Sequence, residues 1–120
     1  MDSPEHAREK LPLLPAVFHI MLALADGERH GYGIKREVEF RTLGIINLGP
    51  GTLYGTLRRM LTEGLIEECG EHLDAEGDVR RRYYRLTEFG RQLAAAEAER
   101  LESLVALARA KDLLGSTKHD

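Results

Sequence analysis

The sequence of 120 residues contains no tryptophan, and only 6% of its residues are aromatic, so it has little aromatic surface for stacking on a planar ligand. It contains one cysteine, Cys69, which excludes an intramolecular disulfide and favours a reducing compartment. The apolar stretch from Leu13 to Ala25 is interrupted by His19 and falls short of the roughly 20 residues that cross a bilayer. These absences predict a cytoplasmic protein without a membrane anchor or a targeting segment.

An excess of positive charge is also missing, because 17 lysines and arginines stand against 20 acidic residues and the formal net charge is −3. A protein with this balance that binds nucleic acid must do so through a local basic patch. Such a patch lies at residues 80–91, which hold five arginines and the single acid Glu88. Residues 71–78 just before it hold four acids, so the two signs of charge are segregated along the chain.

Hydrophobic periodicity divides the first half of the chain into three helices. A buried helix is predicted from Leu13 to Ala25 and a short amphipathic helix from Gly31 to Arg41. The stretch from Thr42 to Gly51 has apolar residues without a helical period and several glycines, so a partly buried turn fits it best. From Thr52 the helical period returns, and Gly64 supplies a stop.

Two strands and a long helix follow. Residues 65–69 and 81–86 have the composition of strands, and the loop between them is acidic and contains glycine. Thr87 is predicted to cap a helix that continues to about Leu114 and is rich in alanine, leucine, glutamate and arginine. At ~1.5 Å per residue this helix approaches ~40 Å, which is longer than a small core covers.

Apolar residues recur along this last helix in alternating steps of four and three, the spacing of a seam that packs on another helix. The overhanging part would otherwise expose apolar surface, so packing on a partner chain is favoured over packing back on the same domain. The predicted dimer interface contains Ala94, Ala98, Leu101, Leu104, Val105 and Ala108.

The order helix, helix, turn, helix, two-stranded hairpin, helix predicts a winged helix-turn-helix, a mainly α fold of the α+β class. In this architecture the third helix enters the major groove of DNA and the hairpin forms the wing. We expect an N-terminal extension over residues 1–12, a DNA-binding domain over 13–87, a dimerisation helix over 88–114 and a flexible tail over 115–120.

A helical wheel for residues 53–63 places the leucines and Met60 on one arc, and small, hydroxyl-bearing and cationic residues on the other. Small residues let a backbone approach a groove, threonine reaches phosphates or base edges, and arginine bridges guanine or a phosphate. Tyr54 lies at the edge of the apolar arc, where its ring can pack while its hydroxyl reaches outward. The outward positions are Thr52, Gly55, Arg58, Arg59 and Thr62.

Several short motifs resemble a known family when their order and spacing are taken together. They are HGYGI at residues 30–34, GTLY at 51–54 with LRRM at 57–60, EGLI at 63–66, and RYYRLTEFGR at 82–91. From about Leu13 to Ala110 the chain resembles the PadR-like family of bacterial and archaeal transcriptional regulators. The combination of GTLY with YYxLTxxG is much more specific than either piece alone.

The resemblance implies a homodimer of winged-helix domains, joined largely through the C-terminal helix, that represses promoters by binding a roughly palindromic operator in double-stranded DNA. Such regulators often release the operator when a small molecule binds, and the resemblance places that effector between the first helix and the C-terminal helix at the dimer interface. One departure is Gly55, which stands where family members often carry proline.

The resemblance also makes Thr52, Tyr54, Arg58 and Arg59 face DNA and gives the arginines around Arg81 a supporting role in the wing. The acidic wing loop is a second departure, because phosphates would repel it. We therefore expect the wing to contact DNA at its arginine base and not at its tip. With the wheel included, the predicted DNA contacts are Thr52, Tyr54, Gly55, Arg58, Arg59, Thr62, Arg80, Arg81 and Arg82.

An enzyme is the first alternative, because phosphate-handling enzymes also place glycine-rich turns such as residues 49–52 before a helix. This turn lacks the Lys-Ser/Thr ending of a P-loop and the fuller glycine fingerprint of a dinucleotide site. The five histidines are scattered, and no Ser/His/Asp or Cys/His arrangement stands out. We therefore predict a protein that is not an enzyme and that uses no cofactor.

Two further alternatives concern regulation and binding. Cys69 and His72, with Asp74 nearby, offer sulfur, nitrogen and oxygen ligands for a metal-responsive winged-helix regulator, but they supply only half a site and we assign no metal. The second is a winged-helix module for protein–protein contact, in which the arginine face binds an acidic partner. That module would bind without the steep salt dependence of phosphate contacts.

Overall fold

The computed structural model describes residues 9–73 and 80–115, with the side chains of residues 71–73 and 80 outside that description. The described chain forms four helices and one three-stranded antiparallel sheet. In chain order the elements are α1 (Pro15–Leu24), β1 (Arg29–His30), α2 (Gly31–Arg41), α3 (Pro50–Thr62), β2 (Ile66–Leu73), β3 (Arg80–Leu86) and α4 (Glu88–Ala110).

The predicted order of helices and hairpin is confirmed, and the bounds of α2 match the prediction. α3 begins at Pro50, two residues before the predicted start, because proline has a φ suited to the first helical position and needs no N–H partner there. β2 runs on to Leu73, beyond the predicted end at Cys69. The predicted N-terminal extension and tail and the acidic tip of the wing lie largely outside the described residues.

The sheet has the strand order β1-β3-β2, so the wing hairpin carries a third strand that the sequence did not predict. β1 is two residues long, and its Arg29 pairs with Tyr84 of β3. A strand this short shows no alternation of apolar and polar residues. The hairpin itself contains an irregularity between Glu68 and Glu71 on β2, where the register shifts.

The hydrophobic core lies where α1, α2 and α3 meet the sheet and the first turns of α4. Its members come from all four described helices and from the base of the wing, so the base of the wing is packed onto the domain. The most deeply buried side chains are Ile20, Met21, Leu24, Ile34, Val38, Leu53, Leu57, Met60, Leu65, Ile66 and Leu93.

α4 begins against the foot of the wing, and Thr87 caps it as predicted. The Thr87 hydroxyl accepts from the Gly90 N–H at 2.9 Å and donates to the Gly64 carbonyl oxygen at 2.6 Å. An added Cβ on Gly90 would lie only 2.0 Å from the carbonyl oxygen of Leu65, so the helix meets the start of the hairpin at a distance that only glycine permits.

A buried carboxylate fixes the N-terminal segment to the middle of α4. Glu97 is 2% exposed, accepts from the Leu13 N–H at 3.2 Å and pairs with Arg100 at 2.7 Å. The Arg100 side chain and the Leu13 N–H lower the pKa of this carboxyl below its usual value, against the opposing effect of burial. α4 ends at Ala110, four residues before the predicted end, and Asp112 has a positive φ of 65°.

Candidate nucleic-acid interface

α3 has one buried face, as the helical wheel predicts. Leu53, Leu57 and Met60 are each 1% exposed and pack into the core. The helix starts from Gly49, whose carbonyl oxygen accepts from the Leu53 N–H at 2.8 Å. Because this face is held by the core, the opposite face of α3 is presented to the outside in a fixed orientation.

The outward face of α3 is small in the middle and polar at both ends. A Cβ added to Gly55 would meet nothing within 4 Å, so the backbone of the helix is open to a large partner there. Thr52, Arg58 and Thr62 are exposed around it. This is the shape of a helix that can enter a groove, with hydroxyls and a guanidinium at hand for bases or phosphates.

The side chains of the adjacent residues Arg58 and Arg59 have different surroundings. Arg58 is exposed and, within residues 9–73 and 80–115, pairs with no carboxylate. The Nε of Arg59 lies 4.0 Å from Glu63, and this side chain lines a cavity of about 250 Å³ together with Lys10 and Leu93. Arg59 therefore lies on the flank that faces the N-terminal segment and α4.

Tyr54 lies on the other flank of α3, and its ring covers the first residue of α2. An added Cβ on Gly31 would be 2.7 Å from the Tyr54 hydroxyl oxygen, although Tyr54 remains 46% exposed. A cavity of about 340 Å³ opens beside this contact. We call it the wing-base cavity, and it is lined by His30, Gly31, Tyr32, Tyr54, Arg81, Arg82 and Tyr84.

The wing arginines have distinct positions. The guanidinium of Arg81 lies 5.8 Å from the centre of the Tyr32 ring, a distance typical of a cation–π contact. Arg82 is exposed and lies 3.4 Å from Glu68 on the neighbouring strand. Arg80 begins β3, and its side chain lies outside the described part of the structure.

His30 has a role that the sequence motif HGYGI does not reveal. Its Nδ1 accepts from the Gly33 N–H at 3.0 Å and caps α2, and its ring meets Tyr83 edge-on at 5.2 Å. Burial and the nearby Arg81 guanidinium lower its pKa. The neutral ring is the form that can accept at Nδ1, so the cap and the lowered pKa agree.

Cys69 is half-buried in β2, the first of the two predicted strands. Burial, together with the charge of the Glu28 carboxylate and a hydrogen bond to it, raises the pKa of the Cys69 thiol. The His72 side chain lies outside the described residues. Within the described chain, no group of three histidine, cysteine or acidic residues is placed to hold a metal ion.

The predicted dimer face of α4 divides at Glu97. Ala94 packs against the core of its own domain, so this position already has a partner within the chain. Beyond Glu97, Leu104 is 51% and Val105 44% exposed, and Leu101 and Ala108 are half-buried. Exposed apolar side chains grouped on one helix are typical of a protein–protein contact.

Comparison with known proteins decides the family. A family model described as the transcriptional regulator PadR-like family matches residues 20–96, more than half of the chain. Transcriptional regulator Rv3488 of Mycobacterium tuberculosis is 33% identical over 101 residues, which are 84% of each protein. The chain belongs to the PadR-like family. The sequence resemblance is thus confirmed, as is the prediction that the protein is not an enzyme, because the family is one of transcriptional regulators.

A relative much larger than this chain also matches. An uncharacterized 37.1 kDa protein in transposon TN4556 of Streptomyces fradiae is 38% identical over 85 residues, which are 71% of this chain and 22% of that protein. This chain thus spans about a fifth of that relative and most of Rv3488.

Solved PadR structures share the fold. A PadR family regulator from Clostridium difficile superposes with a TM-score of 0.66 at 23% identity, covering 79% of this chain and 95% of that one. PadR of Bacillus subtilis, solved in complex with operator DNA, superposes with a TM-score of 0.60 at 21% identity, covering 70% of this chain and 46% of that one. These likenesses confirm the winged helix-turn-helix.

The helices of this PadR-like chain, over the part that the structure describes, include none that is long and apolar enough to cross a bilayer. The predicted outward residues Thr52, Gly55, Arg58 and Thr62 come together on one surface of α3. Tyr54, Arg81 and Arg82 meet separately at the wing-base cavity. The motif HGYGI singles out His30 and Tyr32 in the sequence. Its spacing does not indicate that these two residues lie beside the wing.

Proposed function

We propose that this PadR-like regulator is a homodimer that binds double-stranded DNA and represses transcription from the bound promoter. The observation that carries the proposal is the outward face of α3, where exposed hydroxyls and Arg58 surround the open backbone at Gly55. The Bacillus subtilis relative that shares this fold was solved with operator DNA. A helix with this face is suited to the same kind of partner.

In the proposed complex α3 lies in the major groove. Gly55 lets the helix backbone approach the floor of the groove, because no side chain separates them. Arg58 follows one turn later and reaches a guanine edge or a phosphate, and Thr52 and Thr62 contact the groove at the two ends of the helix.

The flanks of α3 contact the DNA backbone. Arg59 lies on the flank of α3 beside Glu63, and in the proposed complex it contacts a phosphate at the edge of the groove. On the other flank Tyr54 lies beside the wing arginines, and Arg80, Arg81 and Arg82 supply the positive charge of the wing base. The sequence places the acids of residues 71–78 beyond this base.

The proposed dimer forms through the part of α4 that extends beyond Glu97. The seam contains Leu101 and Val105 at its centre, and Leu104, which is 51% exposed, adds apolar surface on the same helix. Pairing of two seams about a two-fold axis presents two copies of α3 to one face of a duplex. The two major grooves would then lie about one helical turn apart, ~34 Å.

Replacement of Leu101 and Val105 by glutamate in one variant should yield monomers by light scattering, because four charges would be buried at the seam. A matched control replaces Ser103 and Ala106, which lie on the opposite side of α4, with glutamate. A dimer that survives in the first variant would place the interface elsewhere.

DNA binding is tested with operator fragments selected from genomic DNA by the wild-type protein. In a gel-shift titration, Arg58→Ala should weaken binding by about 1 to 3 kcal/mol if the lost contact is to a base, and Arg59→Ala by less. Arg109→Ala at the far end of α4 removes the same charge and should bind as the wild type does. Equal binding by all three variants would contradict the assignment of α3. Salt-insensitive capture of an acidic protein without any selected DNA would favour the protein-interaction module.

Repression and release are tested in a reporter assay with the selected operator placed over a promoter. Expression should fall when the regulator is present and should recover with Arg58→Ala. A small molecule that restores expression with the wild type, and that weakens DNA binding by the purified dimer, would identify the effector. The proposed effector site lies between α1 and α4 at the dimer interface.

A further inference from the structure

Three elements meet at the wing-base cavity: the first turn of α2, the flank of α3 and the base of β3. Its volume of about 340 Å³ is larger than a single phosphate group needs, and it is open to the outside. Tyr54 and Arg82 stand at its walls, and Tyr32 lies under the guanidinium of Arg81. The cavity therefore lies between the proposed recognition helix and the wing.

The cavity has two arginines and no carboxylate among its described lining residues. One of them, Arg82, also lies 3.4 Å from Glu68 on the neighbouring strand, so Arg81 is the arginine that the proposal depends on. The Nε of Arg81 is buried and has no hydrogen-bond partner in the described part of the chain, so the protein itself does not satisfy this N–H. Burial and the Arg81 guanidinium lower the pKa of His30, which lines the same cavity.

The position of the cavity matches one part of a duplex. A single sugar–phosphate strand separates the major groove from the adjacent minor groove. If α3 enters the major groove and the wing base lies over the neighbouring minor groove, that strand must pass between them. The wing-base cavity occupies this position, with donors on both sides.

We propose that the wing-base cavity binds one phosphodiester group of the DNA strand that separates the two grooves, with Arg81 and the Tyr54 hydroxyl donating to its oxygens. Tyr32 positions Arg81 by stacking beneath it, and Gly31 leaves the space that the Tyr54 ring occupies. This inference rests on the proposed function. Contact with this one phosphate fixes the recognition helix and the wing in the same register on DNA. The contact does not select a base sequence.

Salt dependence of DNA binding measures the proposed contact. The slope of log Kobs against log salt changes by about 0.9 for each phosphate contact in B-form DNA. Arg81→Gln should reduce the slope by about one, and should weaken operator and random DNA by about tenfold alike, as expected for one charge-assisted hydrogen bond. Tyr54→Phe keeps the ring and should weaken both DNAs by a similar factor.

Arg36→Gln is the matched control, because Arg36 also lies 5.8 Å from the Tyr32 ring but does not line the cavity. It should leave the slope unchanged. Equal slope changes in Arg36→Gln and Arg81→Gln would overturn the cavity as a defined site and leave a diffuse positive surface. Thermal unfolding of each variant shows that it remains folded during the titration.

A neutral methylphosphonate placed at single positions of the operator locates the phosphate. At one position the substitution should weaken wild-type binding and have no further effect on Arg81→Gln. Absence of any such position, in a protein whose binding still depends on Arg58, would overturn the inference and leave the proposed function intact. Failure of the wild type to bind DNA at all would overturn both.

The same phosphate chemistry is also present in a free ion, so calorimetric titration with inorganic phosphate distinguishes the two sources. Weak or undetectable binding by the wild type is the expected result. Submillimolar binding that Arg81→Gln abolishes, with an unchanged salt slope on DNA, would assign the cavity to a free phosphorylated ligand and overturn its assignment to the DNA backbone.

Discussion

The backbone of Gly31 and the ring of Tyr54 are in contact, and a Cβ added to Gly31 would lie 2.7 Å from the Tyr54 hydroxyl oxygen. Gly31 is the buried first residue of α2, whereas Tyr54 is exposed on α3, and 23 residues separate them in the chain. The missing side chain of one residue therefore decides where the phenol of the other lies. This contact forms one side of the wing-base cavity.

Gly31→Ala should weaken DNA binding by about as much as Tyr54→Phe, because the added methyl displaces the phenol. The expected change in melting temperature is small, since the far end of an exposed side chain can move away. Fluorescence anisotropy with labelled operator and thermal unfolding measure the two effects. In Gly33→Ala, the control on the same helix, the Cβ would meet His30 at an ordinary 3.4 Å, so wild-type binding is expected. Wild-type affinity in Gly31→Ala would show that the Tyr54 position does not matter for binding.

Gly90→Ala should destabilise the fold by about 3 kcal/mol, because its Cβ would lie 2.0 Å from the carbonyl oxygen of Leu65. That oxygen belongs to the backbone and cannot swing aside, unlike the Tyr54 hydroxyl. Urea unfolding followed by circular dichroism gives the free energy directly. A decrease of less than about 1 kcal/mol in the free energy of unfolding would mean that α4 can shift relative to Leu65 and relieve the contact.

Gly55→Ala should stabilise the protein and weaken DNA binding. The Cβ would meet nothing within 4 Å, and alanine inside a helix is more stable than glycine by about 0.5 to 1 kcal/mol. The same methyl would stand between the α3 backbone and the floor of the groove. Melting temperature and operator affinity should therefore change in opposite directions. A stabilised variant with unchanged affinity would show that the helix backbone does not approach DNA at this residue.

The stability of the fold should fall when pH is lowered through about 6.5, the usual pKa of histidine in an unfolded chain. In the folded protein the pKa of His30 is lowered by burial and by Arg81, and that of His19 by burial and by Arg41. The unfolded state therefore binds more protons in this range, so the contribution of each histidine is complete above about pH 6.5 and is lost as pH falls toward the folded pKa.

His30→Asn isolates one part of this pH dependence, because asparagine also caps helices and does not titrate. The free energy of unfolding, measured in urea between pH 7.5 and 5.5, should fall less steeply in His30→Asn than in the wild type. Tyr83 and Arg81 surround the ring, and no carboxylate is needed to explain the shift. Identical slopes in the two proteins would remove His30 as a contributor. Glu97 loses its contribution only at lower pH, since its pKa is below the usual carboxyl value.

The helices and the hairpin were predictable because their signals are local. The spacing of Leu53, Leu57 and Met60 places them on one face of a helix, and the structure buries all three. Thr87 followed by Gly90 begins a helix with a side-chain cap for the same local reason. The outward face of α3 follows automatically, because a helix with one buried face has only one other to present.

Two features were not predictable from local signals. They are the two-residue strand β1 and the different surroundings of Arg58 and Arg59. β1 exists because Arg29 and His30 pair with Tyr84 and Tyr83, which lie more than 50 residues later in the chain. Arg59 lines a cavity with Lys10 and Leu93, which are distant from it in sequence.

The sequence by itself determined which segments are helical, which side of α3 is buried and which family the motifs resemble, because periodicity and turn chemistry act over a few residues. Only the tertiary structure decided that Gly31 makes room for Tyr54 and that Gly90 admits the Leu65 carbonyl. It likewise decided that Arg81 and Tyr54 share one cavity. Each of these contacts joins residues far apart in the chain, and packing of the whole core, not local preference, brings them together.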